Sequence, residues 1–307
     1  MIMNNKIVLN RAAFIFFLFC FLLVMPFAQY IDVIFSSSIS FFLIIIFGIS
    51  HGALDHEKGY KLLRIYNIKN TITFYLIYIS IALLIICFWL ILPNLLLIIF
   101  LFVASYHFGK EDSEILIFKK NQFQNLIFLL KGSLIIFAPL MFQFENTLVI
   151  FNFLNFNIDL LLSLKDNGFI EIIYIIGLMS NIFFLNTNLN FNSKIIFFDL
   201  FTINILYYFL SPLAAFALYF CFIHSLRHSV SLIESLDKKN FKRGLNKFLK
   251  KALPLTLITG LLFILSLYFL TDHAELDEAI FKVIFIGLAS LTFPHILLEY
   301  LLKRNEK

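Results

Sequence analysis

An all-helical bundle embedded in a membrane is the fold the sequence predicts, with about ten spanning helices and both termini on the cytoplasmic side. Two observations carry that prediction. Of the 307 residues, 61% are apolar and 14% charged, with a mean hydropathy of +0.93; a soluble domain carries about 25% charge. The apolar excess is also gathered in blocks of about 18 residues or more, long enough to cross ~30 Å of hydrocarbon as helices. A barrel would need short stretches of alternating polarity instead, and the sequence has none. Helices that close their own hydrogen bonds are then the way these blocks satisfy their backbone in lipid.

The blocks follow in order. The first, 12–33, comes after Lys6 and Arg11 and is similar to a signal peptide. No small-x-small cleavage site follows it and many more blocks do, so a retained helix is expected. Further spans are expected at 37–54, 72–92, 94–109, 124–143, 169–187, 195–210, 212–227, 252–271 and 279–302. Pro93 and the Ser211-Pro212 pair mark tight turns, since proline is tolerated at the start of a helix and not in its interior. Segment 146–163 is apolar but studded with Asn, which suits an interfacial or re-entrant helix. No repeat or linker divides the chain, so 1–307 is expected to form one membrane domain.

Charge sets the orientation. With the N-terminus in the cytoplasm, all but three of the 24 Lys and Arg fall on the inner side, the exceptions being Lys131, Lys165 and Lys282. That asymmetry is the positive-inside pattern of a multi-pass protein of a cell's inner membrane. The basic stretch from Lys238 to Lys251 then faces the cytoplasm and anionic lipid. The net charge of +5 is explained by topology, so no nucleic-acid partner is expected. Cys20, Cys87 and Cys221 each sit inside an apolar block without a CxxC pair and read as small apolar filler.

Seven histidines carry the chemistry. In this topology His51 ends the second span, His107 the fourth, and His224 and His228 the eighth, while His295 lies in the inner half of the tenth. Five imidazoles from four helices thus reach one depth. His56 falls in a cytoplasmic loop and His273 on the opposite side. His224 and His228 are four residues apart and share a helix face. Asp55 follows His51, Glu111 follows His107 and Glu299 follows His295 at the same spacing, where a carboxylate can orient a metal-bound imidazole. Ionisable groups within spans are costly and line functional cavities, so the cluster reads as a metal site. Imidazole with nearby carboxylate suits Fe, Zn, Cu or Ni. A six-coordinate iron with open positions suits O2 better than a tetrahedral zinc. Tyr106, beside His107, and Tyr219, five residues before His224, are candidate channel residues.

Four segments, GISHGALDH (48–56), SYHFGKED (105–112), CFIHSLRH (221–228) and TFPHILLE (292–299), together resemble the Brp/Blh family of membrane-bound β-carotene 15,15'-dioxygenases. They run from the second span to the last. Ser50 stands where the family has proline before the first histidine. The resemblance implies Fe(II) held by His51, His107, His224 and His228, with no catalytic residue beyond those ligands. Asp55, Tyr106, Glu111, Tyr219, His295 and Glu299 are then left to the shell behind the ligands or to the substrate channel. It further implies cleavage of the central double bond of β-carotene by O2 into two molecules of all-trans-retinal, a product that microbial rhodopsins use.

Other classes stay in view. A di-iron desaturase would fit the HxxxH of HSLRH but needs more histidines and an HH pair, which this chain lacks. A haem- or quinone-binding redox protein would also place histidines on facing helices. A proton-linked transporter would need polar groups near the midplane, for which Lys131 and Asp199 are the candidates.

Overall fold

The computed structural model describes residues 2–48, 52–114, 123–187 and 193–305, and among these every regular element is a helix. In chain order they are α1 (Ile2–Phe19), a π-helical turn (Cys20–Val24), α2 (Met25–Ile34), α3 (Ser37–Leu43) and a second π turn (Ile44–Gly48). Next come α4 (Asp55–Ile65), α5 (Ile72–Ile91), α6 (Pro93–Glu114), α7 (Gln124–Phe142), α8 (Phe144–Phe153), α9 (Ile158–Asp166), α10 (Phe169–Thr187) and α11 (Ser193–Phe209). The last elements are α12 (Pro212–Tyr219), a third π turn (Phe220–Ser225), α13 (Leu226–Leu236), α14 (Phe241–Leu270) and α15 (Leu276–Asn305).

Helices stand at each of the ten expected positions, but their lengths differ. Among the described residues, seven are long and apolar enough to cross a membrane: Arg11–Ile34, Ile72–Ile91, Pro93–Ser113, Gln124–Phe142, Pro212–Leu236, Phe241–Leu270 and Leu276–Asn305. Two more apolar helices, Ser37–Gly48 and Phe169–Phe183, are shorter. Of the span expected over 37–54, residues 37–48 form α3 and the second π turn, 49–51 lie outside the described residues, and a turn then leads into the amphipathic α4 from Asp55. The Asn-rich stretch 146–163 forms two short helices. Asn155 turns the chain between them with φ of 58°, and Asn157 caps α9 by accepting from the Asp159 amide at 2.9 Å.

The bundle is inside-out relative to a soluble protein. α5 and α14 expose Leu76, Leu83, Leu90, Leu257 and Leu261 along their lengths, while the residues between helices are tightly buried. That is the expected surface for a body solvated by acyl chains. Its core runs through α6, α7, α11, α12 and α15, with Leu97, Leu134, Leu206, Ala214 and Ile284 nearly or fully inaccessible.

Helices α6 and α7 meet backbone to backbone. A Cβ at Gly109 would fall on the carbonyl oxygen of Phe128, and one at Gly132 would fall on that of Ser105. Small residues that let backbones touch are how membrane helices associate without a hydrophobic driving force. The contact matters for function because Gly109 lies two residues from His107. Gly109→Ala and Gly132→Ala are each expected to cost at least about 1–3 kcal/mol, the usual range for overpacking. Thermal unfolding of the detergent-solubilised protein, followed by circular dichroism, should show a lower midpoint for both; an unchanged midpoint would refute the contact.

Candidate metal centre

Each histidine arrives at the centre for a local reason. His107 lies on α6, pinned by the α7 contact just described. His224 sits in the π turn Phe220–Ser225, whose wider coil redirects the side chains that follow it. Phe220 of this turn lies against Gly48 of the second π turn, so two irregular segments meet where the chain approaches His51. His228 follows on α13, and His295 on α15 directly after Pro294. All four are buried, with 1–7% of their surface exposed. His51 lies outside the described residues, so its position cannot be added to this set. His56 bonds the Ala53 carbonyl at 3.1 Å, and His273 is exposed in the turn between α14 and α15.

The four rings form a row. Ring centroids are 5.3 Å apart for His224 and His107, 5.5 Å for His107 and His295, and 6.0 Å for His295 and His228. Among the described residues, no three His, Cys, Asp or Glu side chains already surround a common point as metal ligands do. The row therefore brings donors to one place without yet closing a shell.

Behind the row stands a second one, of carboxylates. His224 Nδ1 donates to Asp112 Oδ1 at 3.0 Å, His228 Nδ1 to Glu111 Oε2 at 3.1 Å, and His295 Nδ1 to Asp55 at 2.8 and 2.9 Å. A carboxylate on Nδ1 fixes the tautomer and puts the ring's lone pair on Nε2, as metal-ligating histidines require. The carboxylates are held in turn. Tyr219 donates to Asp112 at 2.6 Å, and Tyr78 donates to Asp55 at 2.9 Å. Glu299 accepts from Lys58 at 2.8 Å and lies 3.8 Å from Lys110. On α4, burial opposes the Asp55 charge, but the neighbouring His295 and Lys58 hold its carboxyl below the usual range. Burial likewise opposes the Lys58 ammonium, and Glu299 and Asp55 outweigh it, raising its pKa.

The pairing differs from that predicted by four-residue spacing. Glu111 serves His228 on another helix instead of His107 on its own, and Asp55 reaches His295 across 240 positions of sequence. Glu299, one turn after His295, is engaged by Lys58; its Oε1 is 3.9 Å from His295 Nε2. Inter-helix geometry wins because a carboxylate on a neighbouring helix can meet a ring head-on. Asp112, Tyr78 and Lys58 were missed by the sequence reading. For Asp112 the signal was present, since it is the last residue of SYHFGKED.

Three of the four rings face an apolar cavity of about 210 Å³. His107, His224 and His295 are in its wall, with Phe100, Phe108, Ile135, Phe216, Phe220, Phe285 and Leu288. Neither candidate channel tyrosine contributes to that wall. Tyr106 bonds Asn125 at 3.2 Å and packs on Phe128, and Tyr219 is committed to Asp112. The two midplane candidates also have structural partners: Lys131 donates to Ser113 at 2.8 Å, and Asp199 pairs with Arg227 at 2.5 and 2.7 Å. Cys221 bonds the Leu43 carbonyl at 3.4 Å.

Nitrogen donors with three carboxylates one hydrogen bond behind them fit a divalent transition metal. The negative charges offset the ion's own charge where water cannot. Residues 42–303 match the family described as β-carotene 15,15'-dioxygenase. A protein of that name from the uncultured marine bacterium 66A03 is 30% identical over 270 residues, which cover 83% of this chain and 90% of the relative. No solved structure matches the chain. With most of its length matched, the chain belongs to the β-carotene 15,15'-dioxygenase family.

Proposed function

We propose that this protein is a non-haem Fe(II) oxygenase that cleaves the central 15,15' double bond of β-carotene inside the membrane. The observation that supports it best is the junction of an apolar, aromatic-walled cavity with carboxylate-backed imidazoles. In the reaction the C15=C15' bond breaks and each carbon takes one atom of O2, so one β-carotene yields two molecules of retinal. The working arrangement is a single domain of about ten spans in the inner membrane, its termini and histidines toward the cytoplasm. Retinal then passes to a retinal-binding protein such as a microbial rhodopsin.

The chemistry supplied by a bound Fe(II) is the activation of O2 toward an alkene. His107, His224 and His228, with His51, are its proposed ligands. The rest is positioning by this chain. Phe100, Phe108, Phe216 and Phe220 give the polyene an apolar, water-free path. Packed walls fix which double bond lies beside the imidazoles, and fixed geometry of this kind lowers the barrier by prepaid orientation. Asp112 and Glu111 hold His224 and His228 at one tautomer through the reaction. No general acid or base is required, because no proton moves in the balanced reaction. A β-carotene molecule reaches the cavity from the bilayer, where it dissolves.

Expression in β-carotene-accumulating bacteria tests the activity. Loss of orange colour with formation of retinal is expected; retained colour with a well-folded, iron-loaded protein would refute it. In purified protein, chelation should abolish cleavage and added Fe(II) restore it. His107→Ala and His224→Ala should each lower turnover at least about 100-fold, and near-normal turnover in either would remove that residue from the ligand set. Asp112→Asn keeps the side-chain volume but weakens the hold on His224. It should reduce iron affinity by about 10–100-fold, the usual effect of losing such a partner, as read by competitive metal titration.

A further inference from the structure

We infer that His295 is itself a metal ligand and not a residue of the channel wall alone, which adds α15 to the elements that hold the ion. The inference rests on the metal-site reading above and deepens it.

Three observations carry it. First, His295 is built as His224 and His228 are built. It is 4% exposed, and its Nδ1 lies 2.8 and 2.9 Å from the two oxygens of Asp55. Asp55 is fixed in turn by the Tyr78 hydroxyl at 2.9 Å. An imidazole that needed only to shape an apolar tunnel would not need an ionised carboxylate, itself buried, behind it. That arrangement costs desolvation and is worthwhile where the ring carries a cation on its other side.

Second, its place in the row is central. A metal–nitrogen bond of about 2.1 Å puts a ring centroid roughly 3.2 Å from the ion, so two imidazoles on one ion have centroids at most about 6.4 Å apart. His295 satisfies this limit with His107, at 5.5 Å, and with His228, at 6.0 Å. It thus stands within ligand-sharing distance of both.

Third, His295 shares the cavity wall with His107 and His224. Its ring is thus presented to the same space as two residues already assigned to the ion. Pro294, immediately before it, interrupts the regular hydrogen bonding of α15 and loosens the helix where this ring must be aimed.

Anaerobic titration of the purified full-length protein with Co(II) tests the assignment, because the visible ligand-field bands of Co(II) report coordination independently of turnover. Four proteins are compared: wild type, His295→Ala, His295→Gly and His224→Ala. Both His295 variants should bind Co(II) about tenfold or more weakly and with shifted bands. Added imidazole should restore the wild-type bands in His295→Gly, a rescue that a purely structural role would not produce. His295→Ala with wild-type affinity and bands, while His224→Ala loses binding, would overturn the assignment and leave the metal centre standing. Wild-type binding in His224→Ala as well would overturn both. Circular dichroism and elution volume confirm folding, and because a misfolded variant cannot regain native bands from imidazole, the rescue decides the matter if His295→Ala is unstable.

Discussion

A hydrogen bond between an imidazole on one helix and a carboxylate on another, repeated three times in an apolar body, is the interaction on which this structure depends. His224 with Asp112, His228 with Glu111 and His295 with Asp55 join α6, α13, α15 and the start of α4. In lipid neither partner could be left alone without a large desolvation cost. Each bond therefore fixes helix position as well as ring orientation. The same bonds place a carboxylate on Nδ1 of each of these three rings, which leaves Nε2 as the nitrogen for a ligand. Fold and site are in this sense one arrangement: the groups that hold the helices in register are those that orient the imidazoles.

The apolar residues complete the site in a different way. The contact of α6 with α7 through Gly109 and Gly132 brings His107 inward. The π turn at Phe220–Ser225 lets α12 carry a wall of Phe216 and Phe220 and still deliver His224 to the row. An aromatic path ending at imidazoles is a surface on which a long polyene can lie with one bond beside those rings. A soluble enzyme would have to extract such a substrate from the bilayer, whereas here the bilayer is the solvent of both.

Much of this was legible in the sequence. Long apolar blocks place the helices because every backbone group in lipid must be bonded within its own segment. The expectation that histidines of separate helices gather in one place is matched by His107, His224, His228 and His295, whose rings stand in a row. Helix ends were less legible: Pro93 and Pro212 set two of them, but nothing in 37–54 marks the start of the separate helix α4 at Asp55. The carboxylate pairing was the least legible. Four-residue spacing describes one helix, and the bonds form between helices. Arg227 shows the same limit. It counts with the inner-side charges in a positive-inside tally, yet it is buried against Asp199.

X-ray absorption at the iron edge of the reconstituted protein tests the central claim most directly. The account predicts one iron per chain, with the multiple scattering of at least three imidazoles at nitrogen distances near ~2.1 Å. Iron that binds in less than stoichiometric amount, or whose first shell is oxygen without imidazole scattering, would contradict it.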